Sequence, residues 1–172
     1  MNKSSDKSGK PNIVYLNLGS NIEPEKNIPL AVERLQEKVH VSAVSSIWET
    51  PPVGTDGGTF FNLAMRISTD TDYEQLKFSI LRIIEEELGR KRGSDKFAPR
   101  TIDIDIEIFN EKIIDSELWM HPYTAIPMAE ILPDLRHPLM KLTLKEAARQ
   151  LAGKANIIQR TDLEIETNRS DT

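Results

Sequence analysis

Apolar residues follow two periods along the first two-thirds of the chain, and each period predicts an element. Runs of β-branched and aromatic residues predict strands, whereas apolar residues three and four apart predict amphipathic helices. In order, the predicted elements are a strand at 13–18, a helix at 25–38, strands at 41–49 and 60–68, a helix from Thr71 or Asp72 to near Gly89, and a strand at 101–109. This order predicts an α+β, ferredoxin-like fold, a split βαβ antiparallel sheet with both helices packed on one face.

The same spacing predicts which helix residues face the core. They are Ile28, Ala31, Val32, Leu35 and Val39 in the first helix, and Leu76, Ile80, Ile83, Ile84 and Leu88 in the second. The additional C-terminal elements are a short strand near 112–115, a proline-punctuated segment to Pro138 and a helix at 143–151. Residues 1–10 are polar and are predicted to be a disordered lead-in, 11–152 a single domain, and 153–172 a C-terminal tail.

The strand at 101–109 alternates without interruption between isoleucines and polar residues. One face carries Ile102, Ile104, Ile106 and Ile108, and the other carries Thr101, Asp103, Asp105 and Glu107. The isoleucines should pack on the helices, which leaves the carboxylates on the open face of the sheet, roughly 7 Å apart along the strand. Neighbouring carboxylates favour a cation between them, and Mg²⁺ takes one or two protein carboxylates beside phosphate and water oxygens. The same alternation is also typical of any half-exposed strand.

A basic loop precedes this strand and favours phosphate chemistry. It carries five cations within eleven residues, namely Arg90, Lys91, Arg92, Lys96 and Arg100. Metal ions held by carboxylates, with arginines that neutralise phosphate oxygens, are the groups that phosphoryl transfer requires. The alternative is a basic loop that pairs with its acidic neighbour for solubility. Signatures of P-loop NTPases, dinucleotide-binding folds and protein kinases are absent from the sequence.

Composition excludes several other classes. The net charge of -5 and the acidic open face argue against a nucleic-acid-binding protein. The longest apolar runs are far shorter than the roughly 20 residues that a membrane span needs, and the polar N-terminus lacks the apolar core of a signal peptide. The sequence has no cysteine, which excludes disulfides and thiolate zinc sites and fits a cytoplasmic protein.

The stretch Lys96–Ile106, KFAPRTIDIDI, closely resembles the signature of the 6-hydroxymethyl-7,8-dihydropterin pyrophosphokinase family. Other pieces occur in the family's order: Leu18–Asn21, Thr50–Gly54, Phe60–Asn62, Glu85 through Gly89 and Arg90, Leu118–Pro122, and Pro127–Leu135. The resemblance covers roughly 13–152 and makes 11–152 a pyrophosphokinase domain. It implies transfer of pyrophosphate from ATP to the pterin hydroxymethyl group in folate biosynthesis, with AMP released. Small-molecule substrates and dihydropteroate synthase as a functional neighbour are implied as well.

The resemblance also implies a role for each matching residue. Asp103 and Asp105 would bind two Mg²⁺ ions, and Arg90 and Arg100 would join them as catalytic residues. The pterin-binding residues would be Thr50, Pro51, Val53, Phe60 and Asn62, and the ATP-binding residues would be Glu85, Arg90, Arg92, Phe97, Arg100, Ile106 and His121. The residues themselves agree, because an aromatic ring such as Phe60 suits the face of a flat pterin and an amide such as Asn62 suits its polar edge.

Three departures from the family pattern affect the expected specificity. The segment 121–127 is about six residues shorter than in typical members, which leaves Tyr123 as the local candidate for a missing aromatic ring. Met120 stands where a proline is usual, and Glu107 replaces an apolar residue. Two alternatives therefore stand beside the main hypothesis: a divergent member with altered specificity on the pterin side, and a non-catalytic nucleotide-binding or interaction module that retains the fold.

Overall fold

The computed structural model of this chain describes residues 9–52 and 58–167. The strands are β1 (Asn12–Ser20), β2 (His40–Val44), β3 (Trp48–Thr50), β4 (Phe60–Thr69), β5 (Asp103–Phe109), β6 (Lys112–Ile113) and β7 (Ile158–Gln159). The helices are α1 (Pro24–Lys38), α2 (Tyr73–Gln75), a π-helical stretch (Leu76–Leu81), α3 (Arg82–Glu87), α4 (Pro122–Ile131) and α5 (Leu144–Ala152). No helix within the described ranges has the length and apolar character needed to cross a bilayer.

The strands form one antiparallel sheet with the predicted ferredoxin-like order. Its path is β6-β5-β1-β4-β3-β7, and β2 pairs with β4 beyond β3. The predicted strand at 41–49 is therefore interrupted into β2 and β3, which share the same edge of β4. At the interruption the Ser45 hydroxyl accepts the backbone N–H of Ala64 at 2.8 Å, so a side chain replaces one backbone rung.

Both helices of the βαβ units pack on one face of the sheet, as predicted. The second begins at Asp72, whose side chain caps the backbone N–H of Gln75, and Gly89 follows its end with a φ of 83°. It passes through a π-helical stretch, which shifts the later residues around the helix axis. Ile84 and Leu81 are buried, whereas Ile83 is 38% exposed, so the prediction that Ile83 faces the core is wrong.

The alternation of β5 breaks at Glu107. Tyr15 pairs with Ile108 and Leu16 pairs with Ile106, so Glu107 is the extra residue of a β-bulge. Ile102, Ile104 and Ile106 pack against the helices as predicted, but Ile108 joins the cluster on the opposite face. The bulge also leaves Glu107 buried rather than on a solvated face.

Helices α4 and α5 lie over part of the open face. They pack against each other, and α4 also packs on β3 and β4, around Trp119, Leu118 and Ala64. The proline-punctuated segment therefore contains a helix that the sequence pattern did not indicate. Pro122 occupies the first turn of α4, where a missing N–H is harmless, and residues 124–128 are buried, which outweighs the interior Pro127.

Two residues of the predicted tail after residue 152 join the sheet. β7 pairs with β3, and Leu163 and Ile165 pack against the hydrophobic core between the sheet and the helices α1 and α3. Residues 1–8 of the predicted lead-in, Val53 and residues 168–172 lie outside the described residues.

Candidate active site

The open face beside α4 contains a cavity of about 310 Å³. It lies over the ends of β1, β3, β4 and β5. Its walls are formed by Asn17, Gly19, Thr50, Pro51, Phe60, Asn62, Lys96, Phe97, Arg100, Asp103, Asp105 and Tyr123. Eight of the residues predicted for the site therefore border one space.

Strand register explains why residues distant in sequence meet here. Gly19 pairs with Asp103 and Asn17 with Asp105, and Gly19 also pairs with Asn62 on the other side of β1. Residues directly opposite each other in an antiparallel pair share a face, so all five project to the same side. A Cβ on residue 19 would lie 3.3 Å from Asn62 Oδ1, so glycine at this position leaves room beside the Asn62 amide at the base of the cavity.

The wall formed by β3 and β4 is amide-bearing and aromatic. Thr50 pairs with Phe60, and Asn62 Nδ2 donates to the buried Thr50 Oγ1 at 2.8 Å. That bond fixes the amide and orients its carbonyl oxygen. Phe61 points to the other face and is 2% exposed, as expected when one of two neighbouring phenylalanines belongs to the core.

The acidic pair is held differently at its two members. Asp103 Oδ1 lies 2.7 Å from Arg90 Nη1, and its second oxygen accepts from Arg100 Nη1. Asp105 has no ion pair among the described residues and stands exposed at the cavity wall. Although part of the side chain is exposed, the surrounding protein atoms desolvate the carboxyl group and raise the pKa of Asp105 to about 7, and repulsion from Asp103 and Glu85 adds to the shift. Direct ion pairs among the described residues therefore reach Asp103 and not Asp105.

The turn after β1 and the basic loop are bound to each other. Asn21 Oδ1 accepts the backbone N–H of Arg100 at 2.7 Å, and the carbonyl of Arg100 accepts the N–H groups of Asn21 and Ile22 at 3.1 and 3.2 Å. The Gly19-Ser20-Asn21 turn thus positions Arg100 beside the acidic pair. The sequence motif contained Asn21, but its role follows only from these contacts.

Glu85 anchors the loop from beneath. Its side chain is 3% exposed; Oε1 accepts the backbone N–H of Ile104 at 2.8 Å, and Oε2 pairs with Arg92 Nη2. Arg90 Nη1 lies 3.8 Å from the same carboxylate. Burial raises the pKa of Glu85 and Asp103 adds to the rise, although the Ile104 N–H and the two arginines oppose it. Glu85 and Arg92, both predicted on the ATP side, border neither cavity in this structure.

A second cavity of about 280 Å³ lies on the other side of Asp105. Its walls are Tyr73, Lys77, Ile104, Asp105, Ile106, Glu107, Ile114 and Asp115. Ile106, predicted to contact ATP, is part of this wall. Asp105 is common to both cavities, and the bulge places Glu107 in the second.

Two aromatic side chains complete the first cavity. Phe97 is 43% exposed on the basic loop, with Lys96 Nζ 4.9 Å from its ring centroid. Tyr123 is the second residue of α4 and stacks on His121, with ring centroids 5.0 Å apart and planes 9° from parallel. His121 itself borders neither cavity and bonds Glu117 Oε2 at 3.0 Å.

Asn17 borders the first cavity, although the sequence pattern predicted no role for it. It is 7% exposed, and its Oδ1 has no hydrogen-bond partner among the described residues. The signal was an amide between Leu16 and Leu18 in an otherwise apolar strand, where a buried polar group needs a partner.

Comparison with known proteins identifies the family that this arrangement represents. The family model for 7,8-dihydro-6-hydroxymethylpterin-pyrophosphokinase (HPPK) matches residues 15–133. The chain belongs to this HPPK family. The match includes the acidic pair, the basic loop and both cavity walls. It ends before α5 and the C-terminal segment.

Curated relatives in the HPPK family differ in length. The chain is 32% identical over 143 residues to the 2-amino-4-hydroxy-6-hydroxymethyldihydropteridine pyrophosphokinase of Aquifex aeolicus, covering 77% of this chain and 88% of the relative. It is 39% identical over 132 residues to the Bacillus subtilis protein of the same name, covering 70% and 78%. The folic acid synthesis protein FOL1 of Dictyostelium discoideum is 31% identical over 91% of this chain, but the chain spans only 25% of that protein.

Solved structures support the HPPK fold. The chain superposes on the HPPK-DHPS protein of Plasmodium falciparum (A437G, with SDX-DHP) with a TM-score of 0.68 at 13% identity. The match covers 86% of this chain and 47% of that chain. At this identity the likeness concerns the fold, and it confirms the predicted ferredoxin-like architecture.

Proposed function

We propose that this chain transfers pyrophosphate from ATP to 6-hydroxymethyl-7,8-dihydropterin, giving AMP and the pterin pyrophosphate in folate biosynthesis. The observation that carries the proposal is the position of Asp105, which is the shared wall of two cavities with different linings. A two-substrate transfer needs two binding spaces that meet where the reacting groups are held. The acidic pair stands at that meeting point.

The first cavity suits a flat heteroaromatic ring with a polar edge. Phe60 offers a ring face, and the fixed amide of Asn62 offers one donor and one acceptor beside Thr50 and Pro51. Tyr123 supplies a second ring from α4, so the shortened 121–127 segment still contributes an aromatic group to the cavity. Val53, assigned to the pterin pocket by resemblance, stays a prediction.

The residues present fit a requirement for Mg²⁺, and we propose two ions. Asp103 and Asp105 offer two carboxylates at the cavity wall, and Asp105 lacks a cationic partner among the described residues. No cluster of three or more histidine, aspartate or glutamate side chains in the described ranges could hold a metal by itself. Mg²⁺ takes one or two protein carboxylates and completes its shell with phosphate and water oxygens. Bound Mg²⁺ would neutralise charge on the transferring phosphates.

Arg90 and Arg100 are proposed to act on the phosphates. Both guanidinium groups pair with Asp103; Arg100 borders the first cavity, whereas Arg90 borders neither cavity. Arg92 lies on the same loop, paired with Glu85. Fixed donors aimed at developing negative charge supply much of the acceleration in phosphoryl transfer. The pterin hydroxyl then needs mainly to be positioned against the β-phosphorus.

The second cavity is proposed to accept the nucleoside part of ATP. Ile104, Ile106 and Ile114 provide apolar walls for a base, and Lys77 adds one cation. Phe97 on the basic loop is proposed to close over the phosphates. His121 stacks on Tyr123 just outside the first cavity, so its proposed ATP contact requires movement of the loop or of α4.

A related activity would use another small heteroaromatic alcohol with the same ATP chemistry. The observation that favours it is Tyr123, which borders the cavity from a helix that starts directly after His121. Competition binding of the hydroxymethyl-dihydropterin against related alcohols separates the two substrates. Tighter binding of another alcohol would establish the alternative.

The product's next partner is proposed to be dihydropteroate synthase. Relatives of this chain include the HPPK-DHPS protein of Plasmodium falciparum, in which the matched region is under half of the chain. We also propose that the reaction takes place in the cytoplasm, where ATP is available.

The direct test is product analysis with ATP, Mg²⁺ and 6-hydroxymethyl-7,8-dihydropterin. We expect AMP and the pterin pyrophosphate in equal amounts, and release of ADP alone, or no turnover, would reject the proposal. Asp103→Asn and Asp105→Asn should each lower kcat by roughly a thousandfold, because each removes a charge that acts on the transition state. Asp70→Asn, an exposed aspartate after β4, is the matched control.

A further inference from the structure

The segment that follows α5 is built into the wall behind the first cavity. Ile158 pairs with Glu49 and Gln159 with Trp48, and the backbone N–H of Arg160 donates to the carbonyl of Ile47 at 2.9 Å. These contacts add an outer strand to β3, whose last residue is Thr50. The segment lies outside residues 15–133, so nothing in the family match accounts for it.

Arg160 is the residue through which the segment contacts the interior. Its guanidinium lies 4.5 Å from the ring centroid of the buried Phe61. Asp162 holds it from one side through two bonds of 2.7 and 2.8 Å. Its Nη1 donates to Glu49 Oε2 at 3.1 Å. The planar group is thus fixed by a ring face and two carboxylates rather than extending into solvent.

Glu49 links Arg160 to Thr59, which lies at the end of the connection between β3 and β4. While Oε2 accepts from Arg160, Oε1 accepts the hydroxyl of Thr59 at 2.8 Å. Glu49 immediately precedes Thr50, and Thr59 immediately precedes Phe60. Thr50 and Phe60 are a register pair, and both form the cavity wall.

We propose that Arg160, Glu49 and Thr59 form a positioning chain that sets the separation of Thr50 and Phe60, and so the fit of the pterin. Apart from it, β3 and the start of β4 are joined by the three register pairs from Trp48 to Thr50 and by the Asn62–Thr50 side-chain hydrogen bond, next to the connection. Partly exposed ion pairs contribute little to global stability, so the effect should appear in substrate positioning more than in folding. This inference rests on the proposed function, since it concerns the pterin side of that site.

Two variants test the positioning chain, one at each of its ends. Arg160→Ala removes the guanidinium, and Thr59→Val removes only a hydroxyl while keeping the shape of the side chain. Each should raise KM for the pterin roughly three- to tenfold with KM for ATP changed less than about twofold. Arg149→Ala, an exposed arginine on α5, is the matched control and should change neither constant. Direct binding of the pterin and of a non-hydrolysable ATP analogue should show the same selectivity.

The outcomes separate this inference from the function on which it rests. A wild-type protein that releases no AMP refutes the proposed function. An active wild type in which both variants leave the pterin KM unchanged, or raise both KM values together, refutes the positioning chain. If Arg160→Ala fails to fold, Thr59→Val alone decides, because it leaves the C-terminal segment intact. In the double variant the two effects should be less than additive, and full additivity would show that the residues act independently.

Discussion

Replacing Glu107 by glutamine should stabilise the metal-free protein, and the gain should grow with pH. Glu107 is 3% exposed, and its Oε2 has no hydrogen-bond partner among the described residues. Burial raises the pKa of Glu107 to about 9, and repulsion from Asp115 and Asp105 contributes to the shift. The folded protein therefore keeps a proton that the unfolded chain releases near pH 4.5.

The sign and size follow from proton linkage. Because the folded-state pKa is raised, stability from this group is fully present below about pH 4.5 and is lost as pH rises toward about 9. At pH 7.5 the loss is at most about 4 kcal/mol, since three pH units separate that pH from the unfolded pKa at about 1.36 kcal/mol each. Glutamine does not titrate, but its amide must also be desolvated. We expect a net gain of about 1–3 kcal/mol at pH 7.5.

Urea unfolding in EDTA at pH 4.5, 6, 7.5 and 9 measures this directly. Glu111→Gln makes the same chemical change on the exposed turn between β5 and β6, and its free energy of unfolding should follow that of the wild type. A difference between Glu107→Gln and wild type that stays constant across pH would refute the reasoning. So would a loss of stability at every pH.

Three further predictions concern the site. Glu85→Leu should lower the free energy of unfolding in urea by about 3 kcal/mol, because the buried N–H of Ile104 and two arginines lose their partner. Glu85→Gln keeps a hydrogen-bond acceptor, so its free energy of unfolding should fall by less in the same titration. Tyr123→Ala should raise the pterin Kd roughly tenfold by calorimetry while Tyr123→Phe leaves it nearly unchanged, and equal effects would exclude a stacking role. Asn17→Leu should stabilise the fold by about 1 kcal/mol in thermal unfolding and weaken pterin binding; weaker binding without added stability would mean that the amide is satisfied in the free protein.

Elements set by local periodicity could be predicted from the sequence. The ferredoxin-like order, α1, the Asp72 cap and the acidic pair on the open face all follow from spacing and turn chemistry. The bulge at Glu107 could not, because it is decided by pairing with Tyr15 and Leu16 across the sheet. A period of two along one strand contains no information about an extra residue relative to its neighbour.

The missed elements share a second cause. Helix α4 contains two prolines and has buried residues on consecutive positions rather than on one face, so no helical period marks it. β7 has two residues and exists because β3 offers a free edge. Tertiary burial determines α4 and edge pairing determines β7, and a short stretch of sequence predicts neither of these effects. The role of Asn21 likewise depends on a backbone group 79 residues away.

Because Asp105 is a wall common to two separate spaces, a single molecule can occupy both if its linker passes that carboxylate. Once the pterin-like ring of such a molecule is bound in the first cavity, its nucleoside-like end is present at the second cavity at an effective concentration on the order of millimolar for a short flexible tether. Affinity would then depend on tether length with a clear optimum, falling when the tether cannot reach past residue 105 and again when it is slack. The thickness of the Asp105 side chain thus sets the tether length that a tethered inhibitor needs.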